Sequence, residues 1–210
     1  RSSLYAILKS LNLSEKSDVL LQSFTCNAAV NPVLWANLSP IYVDCNLENF
    51  NMNIDDLKNK LKNYSYILEN KRIVLVLQHT FGLPADMDEI VNIVRQNNLI
   101  LVEDCAHALG AEYNGKKVGS FGDAAFFSFS RDKVVSSVYG GMAITNNDKI
   151  GNALRQAQNE FGVPNSFWIF QQLLHPILLH FIILPMYNFF DMGKIVLVLI
   201  GVLLALSFLN

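Results

Sequence analysis

Charge and cysteine are both scarce in this 210-residue chain. Asp, Glu, Lys and Arg make up 16% of the residues, the net charge is −2, and the basic residues form no stripe. The charge pattern therefore gives no electrostatic argument for nucleic-acid binding. The three cysteines, Cys26, Cys45 and Cys105, form no CxxC or Cys/His spacing. The sequence therefore predicts reduced thiols in a cytoplasmic protein, with no metal site.

A starting methionine is also missing. The chain begins with Arg1, and residues 1–8 already have a helical pattern. We expect from this pattern that no signal peptide precedes the helix and that the chain is a fragment of a longer protein. A length of 210 residues is enough for one good-sized core and part of a second domain. Hydrophobic residues make up 51% of the sequence, more than in a usual soluble domain.

Up to about Asn159, short apolar runs alternate with amphipathic segments of helical length. Uniformly apolar strands separated by helices predict an α/β fold with a mostly parallel central sheet flanked by helices. Ligands bind at the carboxyl ends of the strands in such sheets, and Asp104 follows one of these runs. The apolar runs are residues 18–22, 41–43, 73–77 and 99–102, and the clearest helical segments are 53–61 and 86–96.

The pattern changes after the dipeptide Asn114-Gly115, which itself predicts a hairpin turn. Residues 124–127 and 142–145 are typical of short strands, and no helical segment separates them. Residues 147–159 predict a further helix, which either Asn147 or Asp148 would cap.

A sharp change in composition after Glu160 divides the chain into a domain of residues 1–160 and an apolar helical tail of residues 161–210. Residues 161–190 contain no Asp, Glu, Lys or Arg, and residues 195–209 form a second apolar run. That second run would extend about 22 Å as a helix, less than the roughly 30 Å hydrocarbon core of a bilayer. Pro176 and Pro185 are expected to break the first run. A membrane-dipping hairpin, an interfacial helix pair and a buried subunit contact all remain open.

Lys133 is the first candidate for chemistry because of the residues around it. Ser128 lies five positions before it, and Gly140-Gly141 would let the backbone approach a ligand closely. Asp104 ends an earlier strand, and His107 follows three residues later on the same face of a turn. These residue types fit a pyridoxal phosphate site, in which an amine forms the imine, a hydroxyl binds the phosphate and an acid keeps the ring nitrogen protonated. The alternatives are a surface lysine, an acid that caps the next helix, and a buried histidine bonded to the backbone.

The motifs around these residues resemble those of the DegT/DnrJ/EryC1/StrS aminotransferases. The resemblance covers about residues 1–160 and implies a fold-type-I pyridoxal phosphate enzyme that acts as a homodimer. It implies transfer of an amino group from an amino acid, glutamate or glutamine, to a nucleotide-linked keto sugar. The resemblance rests on residues 103–111, 119–123, 127–129, Lys133 and Gly140-Gly141, and upstream on residues 23–25, 40–44 and 82–87.

The resemblance also implies roles for individual residues around the cofactor ring. Lys133 would hold the cofactor covalently and move the proton, Asp104 would pair with the pyridine nitrogen, and His107 would contact the ring or its oxygen. Cys26 lies where many relatives have an aromatic residue that stacks on the cofactor, so stacking there is expected to be weaker or to come from another residue.

Two further residues would bind the cofactor's phosphate. Ser128 resembles the family's phosphate-binding serine. Arg1-Ser2 lie where the family's Gly-Thr-Ala turn offers backbone amides to the phosphate at a helix N-terminus.

The resemblance implies a small C-terminal domain, but we expect no counterpart of it here, because the apolar tail of residues 161–210 occupies its place. This departure leaves a second function open: a catalytically idle or truncated pyridoxal phosphate-binding homologue that its tail tethers to a membrane or a partner. A sugar dehydratase is disfavoured, because such relatives replace the lysine with histidine whereas this chain has Lys133. A small membrane protein is disfavoured by the alternating strands and helices. We expect a cytoplasmic location, with or without membrane association through residues 161–210.

Overall fold

The computed structural model describes residues 1–63, 72–185 and 198. The chain divides into two compact units, Arg1–Phe161 and Gly162–Asn210. The strands and the residues predicted to bind a cofactor all lie in the first unit.

Six strands of the described residues form one sheet. They are β1 (Asp18–Gln22), β2 (Ser39–Val43), β3 (Val74–Gln78), β4 (Ile100–Asp104), β7 (Ala124–Ser128) and β8 (Gly141–Ile144). Their order across the sheet is β2-β1-β3-β4-β7-β8. The first five pair in parallel, and β8 pairs antiparallel to β7. The predicted α/β fold with a mostly parallel sheet is therefore confirmed.

Helices connect the parallel strands from β1 to β4 along the chain, and side-chain caps fix where several helices of this unit begin. Asp86 accepts a hydrogen bond from the backbone N–H of Glu89 at 3.2 Å. Asn147 accepts from Lys149 at 2.9 Å and from Ile150 at 3.3 Å, so Asn147 is the capping residue. The helices of this unit are α1 (Ser2–Ser10), α2 (Asn27–Trp35), α3 (Ile54–Asn63), α4 (Met87–Gln96) and α5 (Asp148–Phe161), and a 3₁₀ turn covers Thr80–Gly82.

The central strands are buried on both faces, because helices pack against each side of the sheet. Successive strand residues point to opposite sides, so each strand contributes to two clusters. On one face, Leu21, Val76 and Val102 belong to a cluster that includes Ile7 of α1 and Val33 of α2. The opposite face has a second cluster, which contains Leu20, Leu75, Leu101, Leu57 of α3 and Ile90 of α4. Burial of each such side chain contributes about 1.5–3 kcal/mol. The core therefore provides a rigid base for the polar residues at the carboxyl ends of the strands.

Two hairpins complete the first unit. The small one pairs β5 (Glu112–Tyr113) with β6 (Lys116–Lys117) through Asn114-Gly115, as predicted, and both turn residues have positive φ. The larger one joins β7 to β8 through residues 129–140, and Ser128 pairs with Gly141. Because β8 runs back along β7, both ends of this loop lie at the carboxyl edge of the parallel strands.

The second unit begins with α6 (Ser166–Leu178) and continues into a π-helical turn, Leu179–Ile183. The prediction that Pro176 breaks this run is wrong, because the helix continues through Pro176 and then widens into the π turn. By length and composition alone, Ser166–Ile183 could cross a membrane. Pro185 is the last residue described before a gap, and the apolar run 195–209 lies outside the described residues except for Val198.

Candidate active site

Asp104 is the last residue of β4 and lies at the carboxyl edge of the sheet, with 6% of its surface exposed. Its Oδ1 accepts a hydrogen bond from the backbone N–H of Ala106 at 2.9 Å. Burial raises the pKa of Asp104 to about 6, although the hydrogen bond from the Ala106 amide and the charge of the nearby Lys133 act in the opposite direction. A buried carboxylate of this kind is stabilised in its ionised form by a cation placed against it.

Lys133 lies in the loop between β7 and β8, and only 14% of its side chain is exposed. Its Nζ is 3.4 Å from the carboxylate of Asp132, which is itself 72% exposed. The charge of Lys133 lowers the pKa values of both Asp104 and His107. Lys133 is therefore within electrostatic range of both residues, although the three come from different parts of the chain.

His107 follows β4 and is exposed. Its ring lies parallel to that of Phe81, with 6.3 Å between the ring centroids and 6° between the planes. Desolvation and the positive charge of Lys133 both lower the pKa of His107, so the imidazole favours the neutral form.

Ser128 is the last residue of β7. Asp104 pairs with Phe126 of β7, two residues before Ser128. Ser128 therefore lies at the same edge of the sheet as Asp104. Its Oγ donates to Ser130 Oγ at 3.4 Å, and Ser130 in turn donates to Asp132 at 2.5 Å. These two hydroxyls give this edge polar groups that a phosphate could bind.

Ser2 is the first residue of α1, and the backbone nitrogen of the preceding residue, Arg1, lies within electrostatic range of Asp104 and Cys26. Helix α1 therefore begins close to the buried acid. Ser2 also lines a cavity of about 540 Å³ between α1, β8 and α5, and the residues that line this cavity include neither Asp104 nor Lys133.

Cys26 is exposed and caps α2, where its Sγ accepts from the backbone N–H of Ala28 at 3.4 Å. A thiol cannot stack on a ring as an aromatic side chain does. One aromatic side chain of the described residues that lies beside this site is Phe81, through its contact with His107.

Two buried polar residues next to the site, His79 and Glu103, were not among the residues predicted from the sequence. Both are fully buried, and His79 Nε2 lies 3.2 Å from Glu103 Oε2. Burial alone would raise the pKa of Glu103, but hydrogen bonds from His79, Gly119 and Gly122 outweigh it and lower the pKa. An acid inside an otherwise apolar strand is the sequence signal that could have identified this pair, because a buried carboxylate requires donors.

Comparison with known proteins gives one consistent relationship. Residues 2–172 match the model of the DegT/DnrJ/EryC1/StrS aminotransferase family. The chain is 38% identical over 143 residues to GDP-perosamine synthase of Escherichia coli O157:H7, an alignment that covers 68% of this chain and 37% of the relative. It is 31% identical over 147 residues to the putative pyridoxal phosphate-dependent aminotransferase EpsN of Bacillus subtilis, which covers 70% of this chain and 38% of the relative.

Solved structures agree with the sequence relationship. The aminotransferase from Psychrobacter cryohalolentis superposes with a TM-score of 0.66 at 28% identity, over 73% of this chain and 37% of that protein. The chain thus spans about two fifths of the length of the curated relatives and of this solved structure. The matched family model covers most of the chain, and we conclude that the chain belongs to the DegT/DnrJ/EryC1/StrS aminotransferase family.

Proposed function

We propose that this chain binds pyridoxal 5'-phosphate at the carboxyl edge of its sheet and takes part in transferring an amino group to a nucleotide-linked keto sugar. The observation that carries the proposal is that Asp104, a buried carboxylate whose ionised form a cation would stabilise, lies within electrostatic range of Lys133. The family relationship and the name of the B. subtilis relative, which specifies pyridoxal phosphate, support the same cofactor.

The residues present fit this cofactor. When bound, pyridoxal phosphate supplies an aldehyde that takes up amines and a ring that accepts electrons. Asp104 would hold a proton on the ring nitrogen, because a cationic ring is what restores the charge of this desolvated carboxylate. His107, whose ring lies parallel to that of Phe81, would contact the cofactor ring or its oxygen.

Lys133 would act through its Nζ amine. The amine would first bind the cofactor and, once an amino donor has displaced it, would move the proton at the α carbon of the donor. Its mostly buried side chain supports this role, because a shielded amine is less solvated than a surface lysine.

Phosphate binding would fall to Ser128 and to the N-terminus of α1. The Ser128 hydroxyl can donate to a phosphate oxygen, and the first amides of α1, around Ser2, have no partner within their own helix. A fixed phosphate would orient the ring between Asp104 and Lys133.

The substrate assignment rests on the relatives and not on a binding site in this chain. The name GDP-perosamine synthase contains a nucleoside diphosphate, which supports a nucleotide-linked sugar as the acceptor. Glutamate or glutamine as the donor, and a homodimer as the active form, are proposals from the family resemblance alone. We also propose a cytoplasmic location, and fractionation of cells that express the chain with and without residues 161–210 would show whether the tail retains it on membranes.

Borohydride reduction tests the proposal directly. The purified chain should gain an absorbance band with pyridoxal phosphate, and reduction should fix the cofactor on Lys133, as located by peptide mass spectrometry. Lys133→Ala should lose this modification, whereas the control Lys149→Ala, which changes an exposed lysine of α5, should retain it. Modification of Lys133→Ala at the wild-type level would refute the assignment. A chain that binds cofactor on Lys133 but does not turn over with any amino donor would be a catalytically idle homologue.

A further inference from the structure

A buried hydrogen-bond network lies behind Asp104. Glu103 precedes Asp104 on β4, and because side chains alternate along a strand, the two carboxylates point to opposite faces of the sheet. His79 directly follows β3, and its backbone N–H donates to the carbonyl oxygen of Asp104 at 3.1 Å. The network therefore contacts the backbone of the residue that would bind the cofactor ring.

Four N–H groups donate to the Glu103 carboxylate, which is a full set for its two oxygens. His79 Nδ1 accepts from the backbone N–H of Ala85 at 3.1 Å, so Nε2 is the protonated nitrogen that donates to Glu103. The donors are Gly119 N (2.7 Å) and His79 Nε2 (3.2 Å) to Oε2, and Phe121 N (2.7 Å) and Gly122 N (2.8 Å) to Oε1.

The loop that supplies three of these donors packs tightly on both neighbouring strands. A Cβ added to Gly122 would lie 2.6 Å from the carbonyl oxygen of Leu101 on β4. A Cβ added to Gly119 would lie 2.9 Å from the ring of Phe127, the residue before Ser128 on β7. A single carboxylate thus connects the ends of β3 and β4 to a loop that rests on β7.

The same side chains include types that could bind a metal ion. Ligand atoms of His79, Glu103 and Cys105 all lie within 4.8 Å of one another. However, burial raises the pKa of the Cys105 thiol, and the carboxylates of Glu103 and Asp104 raise it further, so the thiol keeps its proton. The oxygens of Glu103 are already taken by N–H donors. The geometry therefore fits a hydrogen-bonding role.

We propose that Glu103 and His79 are positioning residues, which fix the direction of the Asp104 carboxylate relative to Ser128 and Lys133. The inference rests on the proposed function, because this direction matters only when a cofactor ring lies against Asp104. Neither Glu103 nor His79 touches the cofactor. They act through the backbone of β4 and through the loop of residues 119–122.

Glu103→Gln, made in the full chain, tests the inference. The amide has nearly the same size as the carboxylate, but its NH₂ group faces N–H donors and leaves some of them without an acceptor. We expect the dissociation constant for pyridoxal phosphate to rise by at least about tenfold. The absorbance band of the bound cofactor should also shift, because the direction of Asp104 toward the ring changes.

Two matched variants separate positioning from general stability. Asp123→Asn weakens another contact to β4, since Asp123 Oδ2 accepts from the backbone N–H of Leu101 at 2.9 Å. It should lower the melting temperature without shifting the band. His79→Gln places an amide N–H close to where Nε2 stood, so its affinity and band should lie nearer to wild type than those of Glu103→Gln.

The outcomes distinguish the positioning role of Glu103 and His79 from the proposed function. A Glu103→Gln protein with wild-type affinity and an unshifted band would refute the inference and leave the proposed function standing. A loss of affinity that follows the loss of thermal stability in every variant would also refute the inference and leave the proposed function standing. A wild-type chain that does not bind pyridoxal phosphate would refute both.

Discussion

The imidazole ring of His107 lies parallel to the phenyl ring of Phe81, and the Phe81 backbone is in the left-handed region, with φ 54° and ψ 21°. A non-glycine residue in that region costs roughly 1–2 kcal/mol, and strain of this kind concentrates at functional sites. Phe81 is also 63% exposed and lies 6.0 Å from Phe24 and 6.1 Å from Phe50, measured between ring centroids. A strained turn thus holds an aromatic ring next to the candidate site.

The strain at position 81 can be measured by comparing Phe81→Asn with Phe81→Ala. Both variants remove the ring, so their difference reports the backbone. Because asparagine tolerates the left-handed region better than alanine, Phe81→Asn should be more stable by about 1 kcal/mol. Urea unfolding of the two variants gives this difference, and equal free energies of unfolding would show that the turn is not strained.

Asp104→Asn should stabilise the cofactor-free chain at neutral pH. The pKa of Asp104 rises from its ordinary value of 3.8 to about 6 on folding. Between these values the folded chain holds a proton that the unfolded chain has lost, so this group's contribution to stability falls as pH rises, by about 3 kcal/mol in total. Because asparagine has no charge to bury, the stability of the variant should not show this fall with rising pH.

The measurement for Asp104→Asn is the free energy of unfolding at pH 4 and at pH 7, with the exposed Asp55→Asn as the control. The difference between variant and wild type should grow with pH only for Asp104→Asn. In the presence of pyridoxal phosphate, the same substitution should weaken binding, because the ring nitrogen loses its anionic partner. A difference that stays constant from pH 4 to pH 7 would contradict the raised pKa.

Gly122→Ala should destabilise the fold more than Gly110→Ala. At Gly110 an added Cβ has nothing within 4 Å, so its positive φ of 85° is the main cost, about 1 kcal/mol. At Gly122 the Cβ would meet the Leu101 carbonyl at 2.6 Å, and the loop would have to withdraw its amides from Glu103. We expect a cost of about 3 kcal/mol in denaturant unfolding. Equal costs would mean that the loop can shift freely.

Ser128→Ala should reduce the preference of the chain for pyridoxal phosphate over pyridoxal, which lacks the phosphate. A hydrogen bond to a charged group contributes about 1.5–3 kcal/mol, or roughly tenfold or more in affinity. Affinity for pyridoxal itself should change little. The control Ser136→Ala changes an exposed serine of the same loop region and should keep the preference. An unchanged ratio in Ser128→Ala would assign the phosphate to other groups.

Features that depend on local sequence could be predicted here. The parallel strands follow from uniformly apolar runs, and the cap at Asn147 follows from short-range side-chain chemistry. Asp104 was identifiable because it ends such a run. Pairs of residues that are distant in sequence could not be predicted in this way. His79 and Glu103 are 24 residues apart and meet only because β3 pairs with β4. The left-handed backbone conformation of Phe81 could not be predicted either, because phenylalanine has no preference for positive φ.

The antiparallel pairing of β8 with β7 has a consequence for how this chain can vary. Phe129 N–H donates to Gly140 O at 3.0 Å and closes the base of the hairpin loop. Residues inserted or deleted between these two positions would change how far the Lys133 amine reaches, while every pair of strands could keep its register. The loop that carries Lys133 is thus separate in sequence from the strands that form the sheet. A change in the length of this loop would alter the distance between the Lys133 amine and the Asp104 carboxylate and leave the sheet unchanged.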